Sequence, residues 1–206
     1  MRIKMWTLGI VVGFLGLAGG QAEATEYWTG WISEEAPNNR TYCDWDEGVE
    51  GFKCSGSNCD SLALLCIDLP TGMTGDSATD NFTSWFSEEG SDIFTQVGSG
   101  FGSGHTGNER YCNSPIPGSG GSYGPALVAG WQCSGSFCDN QKLECVVPVH
   151  TSNWSWGNFT NCAWTTTWVS EETGSVWWGG NNKFLVGVRC SGRYCDNKQF
   201  YICTIS

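Results

Sequence analysis

One block of residues is written three times along this 206-residue chain, and that repetition limits the possible folds more than any other feature. The block opens with Trp31-Ile32-Ser33-Glu34-Glu35, Trp85-Phe86-Ser87-Glu88-Glu89 and Trp168-Val169-Ser170-Glu171-Glu172. Each opening is followed by a Gly-x-x-Cys-Ser-Gly-x-x-Cys-Asp segment, at Gly51–Asp60, Gly130–Asp139 and Gly187–Asp196. A further cysteine closes each copy, at Cys66, Cys145 and Cys203. The copies extend over about 25–68, 80–147 and 154–206 and are read as one domain. The middle copy carries an insertion, Gln96 to Pro125, whose Gly, Ser and Pro predict a long surface loop. Leu69 to Asn81 reads as a polar connector, and Pro148 to Trp156 as a break between copies.

Within a copy the apolar residues alternate. Phe52 and Cys54 flank Lys53, a Ser-Gly-Ser-Asn turn follows, and Leu62, Leu64 and Cys66 alternate beyond it. That is a β-hairpin with a four-residue loop, and no stretch shows a helical period, so the fold class is all-β. In the third copy Cys203 stands one residue further along than its counterparts, which predicts a β-bulge at Tyr201 or Ile202.

The repeat also reduces the twelve cysteines to four per copy. Residues flanking one hairpin loop face each other, giving Cys54–Cys59, Cys133–Cys138 and Cys190–Cys195. Cys43–Cys66, Cys112–Cys145 and Cys162–Cys203 then remain, although Cys162 precedes its Ser-Glu-Glu block whereas Cys43 and Cys112 follow theirs. Cys-x4-Cys is also a zinc spacing. An even count, two histidines and an export leader favour disulfides and no metal. That leader is residues 1–24: Arg2 and Lys4, an apolar stretch from Met5 to Leu17, then Ala22-Glu23-Ala24. The expected product is secreted and monomeric, with no transmembrane segment.

These repeats resemble those of the vitelline membrane outer layer protein 1 family, through Trp31, Trp85 and Trp168, the pairs Asp60-Ser61, Asp139-Asn140 and Asp196-Asn197, and Cys66, Cys145 and Cys203. The resemblance implies a β-prism, three sheets about a pseudo-threefold axis, here stapled by disulfides. The cysteine-bearing repeat is also similar to accessory domains of secreted bacterial and pore-forming proteins, which implies attachment to a surface or a glycan.

The formal charge of −11 argues against a nucleic-acid partner, which needs a basic footprint. The chain contains no zinc-protease, nucleophile-elbow, phosphate-loop or dinucleotide motif. His105 and His150 are isolated, and adjacent strand residues such as Glu34 and Glu35 point to opposite faces. The expectation is therefore a non-catalytic protein without a cofactor. Tryptophan is the informative excess, at twelve residues. Trp31, Trp85 and Trp168 recur at one repeat position and are expected in the core, together with Trp131. Trp177 and Trp178 stand beside Asn181 and Asn182, and aromatic rings beside amides suit sugars. Arg193 and Tyr194 occupy the tip of the third hairpin, with Asp196 next to it. Residues 25–150 hold four basic against seventeen acidic side chains, whereas residues 151–206 hold four against three. A ligand site is accordingly expected in the third copy, on Trp177, Trp178, Asn181, Asn182, Arg193, Tyr194 and Asp196. The expected function is lectin-like binding of neutral glycans or cell surfaces. The alternatives are a structural coat or matrix protein and a surface-targeting accessory to a secreted toxin or hydrolase.

Overall fold

The computed structural model describes residues 25–33, 39–87, 108–115, 123–170, 176–180 and 182–206. The leader, His105, Asn181 and the three Glu-Glu pairs lie outside them. The described residues are all-β, with three 3-10 turns and no α-helix, and none of their helices is long and apolar enough to cross a membrane.

Three long hairpins carry the structure. They pair Glu47–Ser55 with Ser61–Asp68, Leu127–Ser134 with Asn140–His150, and Lys183–Ser191 with Asn197–Ile205. Each sits inside its own sheet. On one side lies a strand that precedes the hairpin in the chain, Glu26–Trp28, Met73–Phe82 or Phe159–Trp164, the second of them starting in the segment between the first two copies. The strand on the other side comes from a neighbouring copy. Arg40–Tyr42 of the first copy pairs with the second hairpin, and Glu109–Tyr111 of the second with the third. Val176–Trp178 of the third copy returns to the first. The exchange is cyclic, so no copy completes its sheet alone.

The inward faces follow from strand alternation. Val49, Phe52, Leu62, Leu64 and Cys66 of the first copy point to a shared core. So do Val128, Trp131, Gln141, Leu143 and Cys145 of the second, and Leu185, Val188, Lys198 and Phe200 of the third. Phe52 touches both Trp131 and Phe200, at 5.3 and 5.2 Å between ring centres, so aromatic rings from all three copies meet.

Several expectations are corrected. The hairpin strands run on to Ser55 and Ser61, so the loop has five residues rather than four. It closes through a 3-10 turn whose glycine, Gly56, Gly135 or Gly192, has φ 76° and ψ near 180°, a region open only to glycine. Leu69 to Asn81 is no connector, since Met73–Phe82 is a full strand, and the second hairpin runs straight through Pro148. The middle insertion contains the exchange strand Glu109–Tyr111 and a small hairpin of Asn113–Pro115 with Tyr123–Pro125. The β-bulge is not at Tyr201 or Ile202. It lies on the first hairpin strand of every copy, at Glu50, Ala129 and Val186.

All six disulfides join the pairs expected, and no described cysteine is free. Register explains why Cys162 is out of place. Cys43 and Cys112 each end an exchange strand and donate their amides to Ala129 and Val186 carbonyls, at 2.7 Å in both cases. Their bonds to Cys66 and Cys145 therefore staple one sheet to the next. At the third seam Gly179 takes that place, with its amide on the Glu50 carbonyl at 2.8 Å, and Ile202 takes the place of Cys66 and Cys145. Cys203, one residue on, faces the opposite side and joins Cys162 within its own sheet.

Candidate functional site

The outward sheet faces carry the residues with the most evident chemistry. Trp31, Trp85 and Trp168 are 50%, 41% and 36% exposed, which overturns their assignment to the core. Alternation gives the reason: the residue after each Trp, namely Ile32, Phe86 or Val169, is the buried one. The Trp is consequently turned outward in every copy.

Each outward Trp has an aromatic companion and a cation between or above the rings. In the first sheet the Lys53 ammonium lies 4.3 Å from the Trp28 ring centre and 4.9 Å from that of Trp31. In the second, Lys142 lies 4.4 Å from Phe82 and 5.6 Å from Trp85, and Arg40 lies 4.9 Å from Phe82 and 5.0 Å from Tyr42. In the third, the Arg189 guanidinium lies 4.4 Å from Trp164 and 5.5 Å from Trp168. These are cation–π distances. Tyr111 extends this third row through edge contacts to Trp164 and Tyr201, and the Tyr201 ring lies tilted against Trp164 at 5.3 Å.

A threonine after each companion ring sets the geometry. The amides of Thr29, Thr83 and Thr165 donate to the carbonyls of Leu64, Leu143 and Phe200, at 2.8, 2.9 and 2.8 Å. The hydroxyls accept from the amides of the same three residues, at 3.0, 3.0 and 3.2 Å. This two-point dock fixes the threonine, and with it the companion ring before it, against its hairpin. The rows also differ in charge. Arg40 forms two contacts with Glu144, one of them Nε to Oε2 at 3.1 Å, and Arg189 meets Gln199 at 2.7 Å and Glu109 at 3.4 Å.

Trp28, Phe82 and Trp164, with their cations, were not among the expected site residues. A signal for the rings was present, because an aromatic-Thr pair precedes the repeated Trp by three or four residues in every copy. Two of the cations also left a trace, because Lys53 and Arg189 share the repeat position before Cys54 and Cys190. The second copy has Gln132 there, and its Lys142 stands on the other hairpin strand.

The residues expected to form a site in the third copy are not gathered together. Trp177 is buried, 4.7 Å from the Phe200 ring, and belongs to the core. Trp178 is 62% exposed but lies on the first sheet, opposite Gly51. Asn182 is exposed, with φ 60°. Burial pushes the Glu50 carboxyl up; the amides of Lys183 and Asn182 and the Trp178 indole act against that shift. Arg193 and Tyr194 are at a hairpin tip, where Arg193 covers the Tyr194 ring at 4.9 Å and Tyr194 meets Phe137 of the second copy at 4.9 Å. Asp196 folds back over Gly192 and accepts from the Asn197 amide at 2.7 Å, which makes it part of the turn.

Comparison of the chain with protein-family models, with curated proteins and with solved structures gave no match.

Proposed function

We propose that this chain is an exported, non-catalytic glycan-binding protein, built as a three-repeat β-prism that presents one aromatic row on each outer face. The observation that carries the reading is the recurrence of exposed Trp31, Trp85 and Trp168 beside a second ring and a cation, on all three sheets. A large ring left half in water costs hydrophobic free energy, and three at one repeat position form a pattern rather than scattered exposure. Such rings stack on the apolar face of a pyranose, while neighbouring amides and charged heads reach its hydroxyls. Three equivalent rows would add avidity on a repetitive surface. The resemblance to prism-forming families supports the same architecture, and six disulfides suit an oxidising compartment.

A glycan array is the test. Retention on neutral polysaccharides or cell-surface glycans is expected, and a blank array would refute the reading. A structural coat role is the second reading. It is favoured by the way Arg40 and Arg189 already pair with Glu144 and Glu109, so that two of the rows are internally satisfied. Recovery of the protein in an insoluble extracellular layer, with a blank array, would support that role.

A further inference from the structure

The seam between the first and second copies departs from the repeat. After the exchange strand Arg40–Tyr42 the chain turns through Cys43-Asp44-Trp45, and a cavity of about 350 Å³ opens there. Its lining includes Arg40, Tyr42, Asp44, Trp45 and Glu144. Resting on the glycan-binding reading above, we propose that this cavity, which adjoins the second row through Arg40, Tyr42 and Glu144, is a subsite for a single neutral pyranose, such as a chain-terminal hexose.

Two rings supply the stacking surface. Tyr42 is 57% exposed and Trp45 64%, among the highest values for large apolar side chains in the structure. Polar groups of both kinds lie beside them. The Arg40 guanidinium donates, the Glu144 carboxylate it binds accepts, and the Asp44 carboxylate is exposed. A sugar needs this combination, an apolar ring face edged by donors and acceptors for vicinal hydroxyls.

The walls are fixed before any ligand arrives, which lowers the ordering cost of binding. Cys43 is held by its disulfide to Cys66 and by its amide on the Ala129 carbonyl. The Asp44 amide donates to Glu47 Oε2 at 2.8 Å, and the Glu47 amide returns to the Asp44 carbonyl at 3.0 Å. The Trp45 carbonyl accepts from the Gly75 amide at 2.9 Å. A Cβ at Gly75 would stand 2.1 Å from that carbonyl oxygen, so glycine is what lets the turn seat so closely.

Among the described residues the other two seams do not repeat this arrangement. Asn113 and Ser114 follow Cys112, and Gly180 follows Gly179. Tyr111, the counterpart of Tyr42, is half-buried, with its ring edge-on to Trp164 and Tyr201. Charge selects among sugars. The cavity lining holds two carboxylates, Asp44 and Glu144, against one guanidinium, Arg40, and Asp46 and Glu47 follow Asp44 in the chain, so a uronate or sialate would be repelled and a neutral hexose would not.

The test is an amide and indole NMR titration of the full secreted chain with methyl glycosides of mannose, glucose and galactose, and with methyl glucuronide as the anionic control. One neutral glycoside should shift Trp45 and Asp44 signals and saturate at one equivalent. Trp45→Ala and Asp44→Asn should each weaken it about tenfold, the loss of one stacking or hydrogen-bond contact, whereas Trp178→Ala should not. Both substitutions are at exposed positions, and unchanged thermal midpoints would confirm that the fold survives. Glycoside shifts confined to Trp31, Trp85, Trp168 and their companion rings, or no glycoside binding while array binding persists, would overturn the subsite and leave the glycan reading intact. Equal or tighter binding of the glucuronide would overturn its neutrality. Loss of both array and glycoside binding would overturn both proposals.

Discussion

Glu50 shows how one residue can mark a seam. It occupies the bulge position that holds Ala129 and Val186 in the other copies, and it is 1% exposed. Burial raises its pKa, so the folded protein holds this proton more tightly than the unfolded chain does. A raised folded pKa contributes stability that is present below the unfolded value and is lost as pH rises through the folded one. As pH rises from about 4.5 through the folded pKa of Glu50, this residue thus acts increasingly against the fold. The stability difference between Glu50→Gln and the parent protein should grow in favour of the variant over that interval, as read from thermal melts across pH. A constant difference would remove Glu50 as the cause. Lys198 is a second buried polar residue, at the position of Leu62 and Gln141, with its ammonium on the Cys195 carbonyl at 2.7 Å. The Gln141 amide makes the equivalent bond to the Cys138 carbonyl at 3.1 Å. Lys198→Gln should therefore be nearly neutral, whereas Lys198→Ala should cost about 2–4 kcal/mol in denaturant melts, from an unpaired carbonyl and a void.

At the scale of elements, the hairpins were legible in the sequence and their partners were not. Alternation around Phe52, Cys54, Leu62 and Leu64 identified strands and faces, and two cysteines flanking a turn identified a disulfide. The exchange strands are only three residues long, and Arg40-Thr41-Tyr42, Glu109-Arg110-Tyr111 and Val176-Trp177-Trp178 share little beyond a final aromatic ring. Their pairing is set by tertiary closure, which local pattern does not record. The outward Trp residues were misassigned because recurrence was read as burial, although Ile32, Phe86 and Val169 recur equally. The tips are a firmer case. A methyl group at Gly135 would lie 2.0 Å from Asp139 Oδ1 in a conformation closed to other residues, so Gly135→Ala should destabilise by about 1–3 kcal/mol. A loss below 0.5 kcal/mol in the same melts would show that the tip rearranges freely, on the scale of ordinary surface substitutions.

For the whole molecule, cyclic exchange makes the copies interdependent, and the three seams are not equally secured. Two carry a disulfide, Cys43–Cys66 or Cys112–Cys145, and the third relies on Gly179, Glu50 and Trp178. Local opening should start where there are fewest constraints. Hydrogen exchange should accordingly be fastest, among the exchange strands, at Val176–Trp178, and slower at Arg40–Tyr42 and Glu109–Tyr111. The reverse order would show that the staples do not govern seam stability.

The account depends most on the outer aromatic rows being binding surfaces rather than surface packing. Affinity electrophoresis through gels containing a polysaccharide that the protein retains tests this directly, comparing the parent chain with the combined Trp31→Ala, Trp85→Ala and Trp168→Ala variant. All three positions are at least 36% exposed, so the variant should keep its fold and its six disulfides. The account predicts that retardation of the parent is abolished in the variant. Undiminished retardation of a folded variant would contradict it.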